Sequence, residues 1–275
     1  MVMRFSQVDV FSTGPLLGNP VAVVHDADGV TDEQMAAFAR WTNLSETTFL
    51  LRPTQAGADY RLRIWTPGGE LPFAGHPTLG SAHAWLEAGG VPAADDLVVQ
   101  ECGAGLVELR RGATLAFAAP PLTRSGPVDE ADLDAIAVAL RLTRADLVDA
   151  AWIDNGPGWV GVLLADADTV LGLRPDWAAF GDLQIGVVGA YPAGGPADVE
   201  VRAFCPDLGI TEDPVTGSLN AGIGQWLAGD RLPARYVASQ GSALLRAGRV
   251  HVVKEGQTVW VGGDTRTTIT GSVDL

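Results

Sequence analysis

The same ordered series of elements occurs twice in this chain, and a duplication of that kind restricts the fold more than any single stretch does. In the first half a strand pattern over Tyr60–Thr66 runs into the Gly- and Pro-rich stretch Pro67–Gly75. The motif His76-Pro77-Thr78-Leu79-Gly80-Ser81 follows and opens a helix. In the second half Val199–Cys205 closes on Pro206, and Asp213-Pro214-Val215-Thr216-Gly217-Ser218 matches that motif position for position from the proline onward. Each helix precedes a hairpin, Gly105–Phe117 turning at Gly112 and Gly248–Val261 turning at Gly256. The repeat predicts an α+β chain of two pseudo-equivalent domains, residues 1–122 and 123–275, with an active site in the cleft between them. Its 275 residues are enough for two such domains.

Local patterns fill in the first half. Phe5, Val8 and Val10 alternate in a strand over 4–12, and Val21–Val24 returns from a turn at Gly18-Asn19-Pro20. Thr31 with Gln34 three residues on is a capping box, so a helix is expected over 32–42 with Met35, Phe38, Ala39 and Trp41 on its apolar face. Asn43-Leu44-Ser45 leads into a strand over Glu46–Leu51, and further strands are expected near 97–102, 105–110 and 113–118.

Charge narrows the partners. Eighteen basic against 33 acidic residues leave −15, and Lys254 is the one lysine. A polyanion is repelled by that field, so nucleic acid is not the expected partner, and neither a Walker lysine nor a lysine aldimine is indicated. Cys102 and Cys205 are too few for a disulfide framework. His25, His76, His83 and His251 show no zinc spacing, so no metal is expected. The first residues enter a strand pattern without an apolar leader, and no apolar run suits a bilayer, so the expectation is a cytoplasmic protein with no membrane partner.

Two X-Pro helix starts present unpaired N–H groups and partial positive charge, a receptor for a small carboxylate. Ordinary capping by Asp213 explains the second motif equally well. His76 and Asp213, at matching repeat positions, would offer one imidazole and one carboxylate to a shared cleft as a proton-handling pair. Glu46, where a polar loop meets the strand Thr47–Leu51, is a partly desolvated carboxylate suited to general acid–base work, or a solvated strand-start glutamate. Ser81 and Ser218 lie in no G-x-S-x-G elbow.

Several segments together resemble the phenazine-biosynthesis PhzF-like isomerases: Val8-Asp9-Val10-Phe11, Gly18-Asn19-Pro20-Val21, Asn43-Leu44-Ser45-Glu46-Thr47, Glu70 through Gly80, and Glu212 through Ser218. The resemblance spans nearly the whole chain. It implies a diaminopimelate-epimerase-like fold, with each domain a sheet wrapped around a central helix, a cofactor-free site and a homodimer. It makes Glu46 the acid–base, with His76 and Asp213 as catalytic partners, and assigns Asn19, Ser45, Gly75, Gly217 and Ser218 to substrate binding. Racemases of the same superfamily use one cysteine per domain. Ala74 and Thr216 stand near the places of those thiols, so two-thiol chemistry is disfavoured, and both cysteines read as small buried hydrophobes.

The function expected is a cofactor-independent isomerase in which Glu46 moves a proton between carbons of a small carboxylate-bearing substrate. An epimerase or racemase of an amino or hydroxy acid, and a small-molecule-binding protein without turnover, are the alternatives.

Overall fold

The computed structural model describes Val2–Leu275. It divides into two compact units, one of residues up to Ala118 with Gly262–Leu275, the other of Ala119–Val261. The first contains β1 (Val2–Val10), β2 (Asn19–Val24), α1 (Asp32–Thr42), β3 (Glu46–Leu51), β4 (Tyr60–Thr66), β5 (Gly69–Leu71), α2 (Gly75–Glu87), β6 (Leu97–Cys102), β7 (Gly105–Arg111) and β8 (Leu115–Ala118). The chain then forms β9 (Arg124–Pro127), α3 (Glu130–Leu140), β10 (Asp149–Asp154), β11 (Trp159–Leu163), α4 (Ala167–Gly172), β12 (Gln184–Ala190), β13 (Val199–Cys205) and β14 (Ile210–Asp213). Last come α5 (Gly217–Leu227), β15 (Arg235–Gln240), β16 (Gly248–Glu255), β17 (Thr258–Gly263) and β18 (Thr265–Asp274).

The two units repeat one pairing scheme. In the first, β1–β2 is antiparallel, β2–β3 parallel, β3–β4 and β4–β5 antiparallel, and β4–β6 parallel before the β6–β7 hairpin. In the second, β10–β11, β11–β12, β12–β13, β13–β14, β13–β15 and β15–β16 follow the same sequence of directions. The duplication read from the sequence is therefore a duplication of topology. Its C-terminal end departs from the expected division into 1–122 and 123–275. Beta-strand 18 pairs along the whole of β1, and so the C-terminal segment belongs with the first unit, while β9 pairs with β10 in the second.

Each sheet wraps one central helix. In α2 the residues Gly75–Ala82 and Ala84 are buried, so the helix has no solvent stripe and packs on β1, β2, β3, β8 and β18. Gly80 lets it approach, since a Cβ there would overlap the Val21 side chain. Alpha-helix 5 is buried over Gly217–Gly224 and lies against β10, β11 and β16. Fully buried side chains such as Phe49, Ile64 and Leu79 contribute about 1.5–3 kcal/mol each by leaving water. A second layer in the other unit packs Ile136 and Leu140 of α3 and Val170 of α4 against Val160, Ile185 and Phe204.

The capping box at Thr31 forms as expected, and Met35, Phe38 and Ala39 are buried. Trp41 is not on that face. It is 78% exposed and stacks on the rim of Phe38, because residue 41 turns away from the stripe set by 35, 38 and 39. The stretch expected to be irregular, Pro67–Gly75, contains the short strand β5, folded back on β4.

Candidate active site

Glu46, Asn19 and His76 meet in the first unit. Alpha-helix 1 stops at Asn43, whose left-handed backbone (φ 53°) returns its N–H to the Ala39 carbonyl, and the chain turns through the half-buried Ser45 into β3 with Glu46 as its first residue. On α2, His76 is the second helical residue and is buried. Its Nε2 stands 3.2 Å from Oε2 of Glu46, and Nδ2 of Asn19 stands 3.3 Å from its Nδ1. Burial pulls the imidazole down to about 3, against the opposing effect of a hydrogen bond to the Pro20 backbone, so the ring is neutral at neutral pH. A neutral imidazole beside a carboxyl group orients it and can share its proton.

Asp9, unremarked within its Val8–Phe11 motif, holds Asn19 in place. Its buried carboxylate accepts from the Ser12 hydroxyl at 2.8 Å and from the N–H groups of Leu17 and Gly18 at 3.1 and 3.0 Å, fixing the turn that enters β2. Gly18 is obligatory there, since a Cβ would strike the Val10 carbonyl.

In the second unit the Asp213 carboxylate accepts from the Thr216 hydroxyl at 2.6 Å, and Thr216 N–H donates to Gln240 Oε1 at 3.0 Å. Gln240 Nε2 donates to the Thr216 hydroxyl at 2.8 Å and to the Asp213 carbonyl at 3.1 Å, while Asn220 Nδ2 donates to Gln240 Oε1 at 2.9 Å. Ser218 Oγ accepts from Trp159 Nε1 at 3.0 Å, and the Ser218 carbonyl accepts from Asn155 Nδ2 at 2.9 Å. The hydroxyl proton of Ser218 is thereby left for another acceptor. Gln240, Asn220, Trp159 and Asn155 were not singled out from the sequence. One signal existed: Gln100, on the counterpart strand β6 but two positions short of the place of Gln240, donates to Thr78 in the first turn of α2, so each repeat braces its central helix with a buried glutamine.

The helix starts differ from expectation. Alpha-helix 5 begins at Gly217 with Thr216 as N-cap, and α2 begins at Gly75 with Ala74 as N-cap, so neither Pro214 nor Pro77 is a first helical residue. Asp213 ends β14 and is not the N-cap of α5, which is Thr216. In both repeats three residues lie between the end of the short strand and the start of the helix, 72–74 and 214–216. The counterpart of Asp213 is therefore Leu71, and that of His76 is Ser218. Pro72, and not the Pro77 expected from the sequence, is the counterpart of Pro214; Gly80-Ser81 inside α2 imitates Gly217-Ser218. Two ion pairs corroborate the corrected register. Arg63 of β4 and Glu70 of β5 bond through two N–H groups at 2.7 Å each, and Arg202 of β13 and Glu212 of β14 do so at 2.9 and 2.8 Å. Thr216 and Ala74 carry no side-chain cap, so the first N–H groups of both helices have no acceptor from their N-cap side chains. Cys102 and Cys205 are buried on strands, neither at the start of α2 or α5.

Buried neutral imidazoles also set an acid limit on stability. His25 is pulled down to about 4, first by burial and then by the Arg4 charge, against the opposing pull of Asp26, and His76 to about 3. Both folded values lie below the unfolded 6.5, so between them the unfolded chain binds more protons, and stability falls as pH falls through that window. Melting temperature should drop between about pH 7 and pH 4 by an amount equivalent to a few kcal/mol, and His25→Gln should flatten the slope. A pH-independent melting temperature would contradict this.

A family model described as phenazine biosynthesis-like protein matches residues 8–272. A Schizosaccharomyces pombe protein called antisense-enhancing sequence 1 is 36% identical, with 97% of each chain covered. The trans-2,3-dihydro-3-hydroxyanthranilate isomerase of Pseudomonas aeruginosa is 35% identical over 92% of this chain and 91% of its own. The crystal structure of a phenazine biosynthesis PhzF family protein from Enterococcus faecalis superposes with a TM-score of 0.81 at 26% identity, covering both chains completely.

Proposed function

The chain belongs to the phenazine biosynthesis-like family and is an isomerase, and on that premise we propose that it moves one proton between two carbons of a small carboxylate-bearing substrate with Glu46 as acid and base. The observation that carries this is the contact between Glu46 Oε2 and the Nε2 of a buried neutral His76. The carboxylate takes a proton from a carbon next to an unsaturated system. The electron pair left behind delocalises over the substrate, and protonated Glu46 returns the proton at another carbon. Reactant and product have the same atoms and oxidation level.

The transient negative charge requires donors, and the first-turn N–H groups of α2, the helix that carries His76, supply them. Asn19 and Ser45 shape the pocket around Glu46. In the second unit Asp213, Gly217 and Ser218 are the substrate-handling groups of this reading, with Gln240 fixing Asp213 and Thr216. An epimerase using one thiol per domain is disfavoured, because Ala74 and Thr216 stand at the two helix caps.

Trans-2,3-dihydro-3-hydroxyanthranilate, the compound in the name of the P. aeruginosa relative, is a candidate substrate. Incubated with the chain in deuterated water, it should give a positional isomer with label at the newly protonated carbon. Inversion with label at the original stereocentre would establish an epimerase instead.

A further inference from the structure

On the face of the second unit where Arg202 lies against α4, an open pocket of about 370 Å³ is lined by Arg141, Arg174, Arg202, Trp177, Leu171 and Pro175, among others. Three guanidinium groups at one pocket are unusual in a chain with 18 basic residues and a net charge of −15. Two of them have acidic partners. Arg202 is held by Glu212, and Arg141 Nη2 lies 3.4 Å from Asp176. Arg174 has none: its Nη1 donates to the carbonyls of Leu171, Gly172 and Leu173, leaving Nε and Nη2 without a partner among the described residues. Three cations less two carboxylates leave one positive charge, which suits a monoanion.

The aromatic wall is built in advance. Trp177 is 42% exposed, yet it stacks on Phe180 at 5.7 Å and meets Phe204 edge-on at 5.8 Å. Arg202 is nearly completely buried, 4.9 Å over the Phe204 ring, and its Nη1 donates to the Val170 and Leu173 carbonyls at 3.2 and 3.0 Å. A rigid indole face beside an unpaired guanidinium fork, over an apolar wall of Leu171 and Pro175, matches a flat ring bearing one anionic group. We propose that this pocket binds a small aromatic monoanion of the aryl carboxylate class. It is distinct from the residues assigned to catalysis, although Glu212, which its Arg202 holds, precedes Asp213 on β14.

Two indole signals make the test specific. The Trp177 N–H resonance, assigned through Trp177→Phe, reports the pocket, and the Trp159 resonance reports the neighbourhood of Ser218. Titration of the full chain with benzoate should move the Trp177 signal saturably, and Arg174→Gln should weaken that response at least tenfold. Arg174 is exposed, so the variant is expected to fold. Arg141→Gln, which removes the second cation of the rim, serves equally if it does not. Cyclohexanecarboxylate and benzyl alcohol, lacking the ring face and the charge respectively, should bind more weakly than benzoate. The proposal is overturned if benzoate leaves the Trp177 signal still, if both arginine variants respond as the parent does, or if either control ligand binds as tightly.

Discussion

Glu46→Gln should lower turnover by roughly 10²–10⁴-fold, the usual contribution of a positioned acid–base group, while leaving the melting temperature within a degree or two of the parent. Glutamine keeps the shape of the side chain and removes its capacity to take a proton. The position tolerates the change because Glu46 is the first residue of β3 and its neighbour His76 is neutral and demands no charge. Loss of rate through a changed KM alone would assign Glu46 to binding.

Arg202→Met should destabilise the chain by about 3–5 kcal/mol, because it leaves Glu212 buried and charged with no partner. At this size that is on the order of 10 °C in melting temperature. The molecule contains its own control. Arg63 and Glu70 occupy the same two positions in the first repeat with the same paired geometry, but the Glu70 side chain is 37% exposed against 7% for Glu212. Water can solvate Glu70 when its partner is lost, so Arg63→Met should cost roughly 1 kcal/mol or less. The double change Arg202→Met with Glu212→Leu should regain much of the loss, since an apolar pair of similar volume carries no stranded charge. Equal effects at Arg63 and Arg202 would show that burial does not govern these pairs.

Strand and helix bounds were legible where the pattern is local. Glu46–Leu51 and Tyr60–Thr66 came out at their exact limits because apolar runs there end at polar loops, and α1 did because Thr31 and Gln34 form a reciprocal cap. Duplication was legible from the order of elements, and the PhzF-like segments pointed to the family the comparisons show. What escaped depends on partners far along the chain. Beta-strand 18 pairs with β1, more than 250 residues away, and nothing in Thr265–Asp274 by itself names that partner. The repeat register failed for a different reason: Pro72 and Pro77 both offer a plausible match to Pro214, and the Arg63–Glu70 and Arg202–Glu212 pairs that decide between them are visible only after folding. Gln240 and Trp159 were missed because their link to the Asp213–Ser218 motif is made through space, across 24 and 59 residues.

Solvent hydrogen exchange in Glu46→Gln is the sharpest measurement, because it isolates the proton from every other part of the reaction. With substrate bound in deuterated water, the parent chain should place deuterium on carbon in the product. The variant should bind the same substrate, incorporate no deuterium into either substrate or product, and retain its fold. Incorporation by Glu46→Gln at the rate of the parent would contradict the assignment of Glu46 as the group that carries the proton.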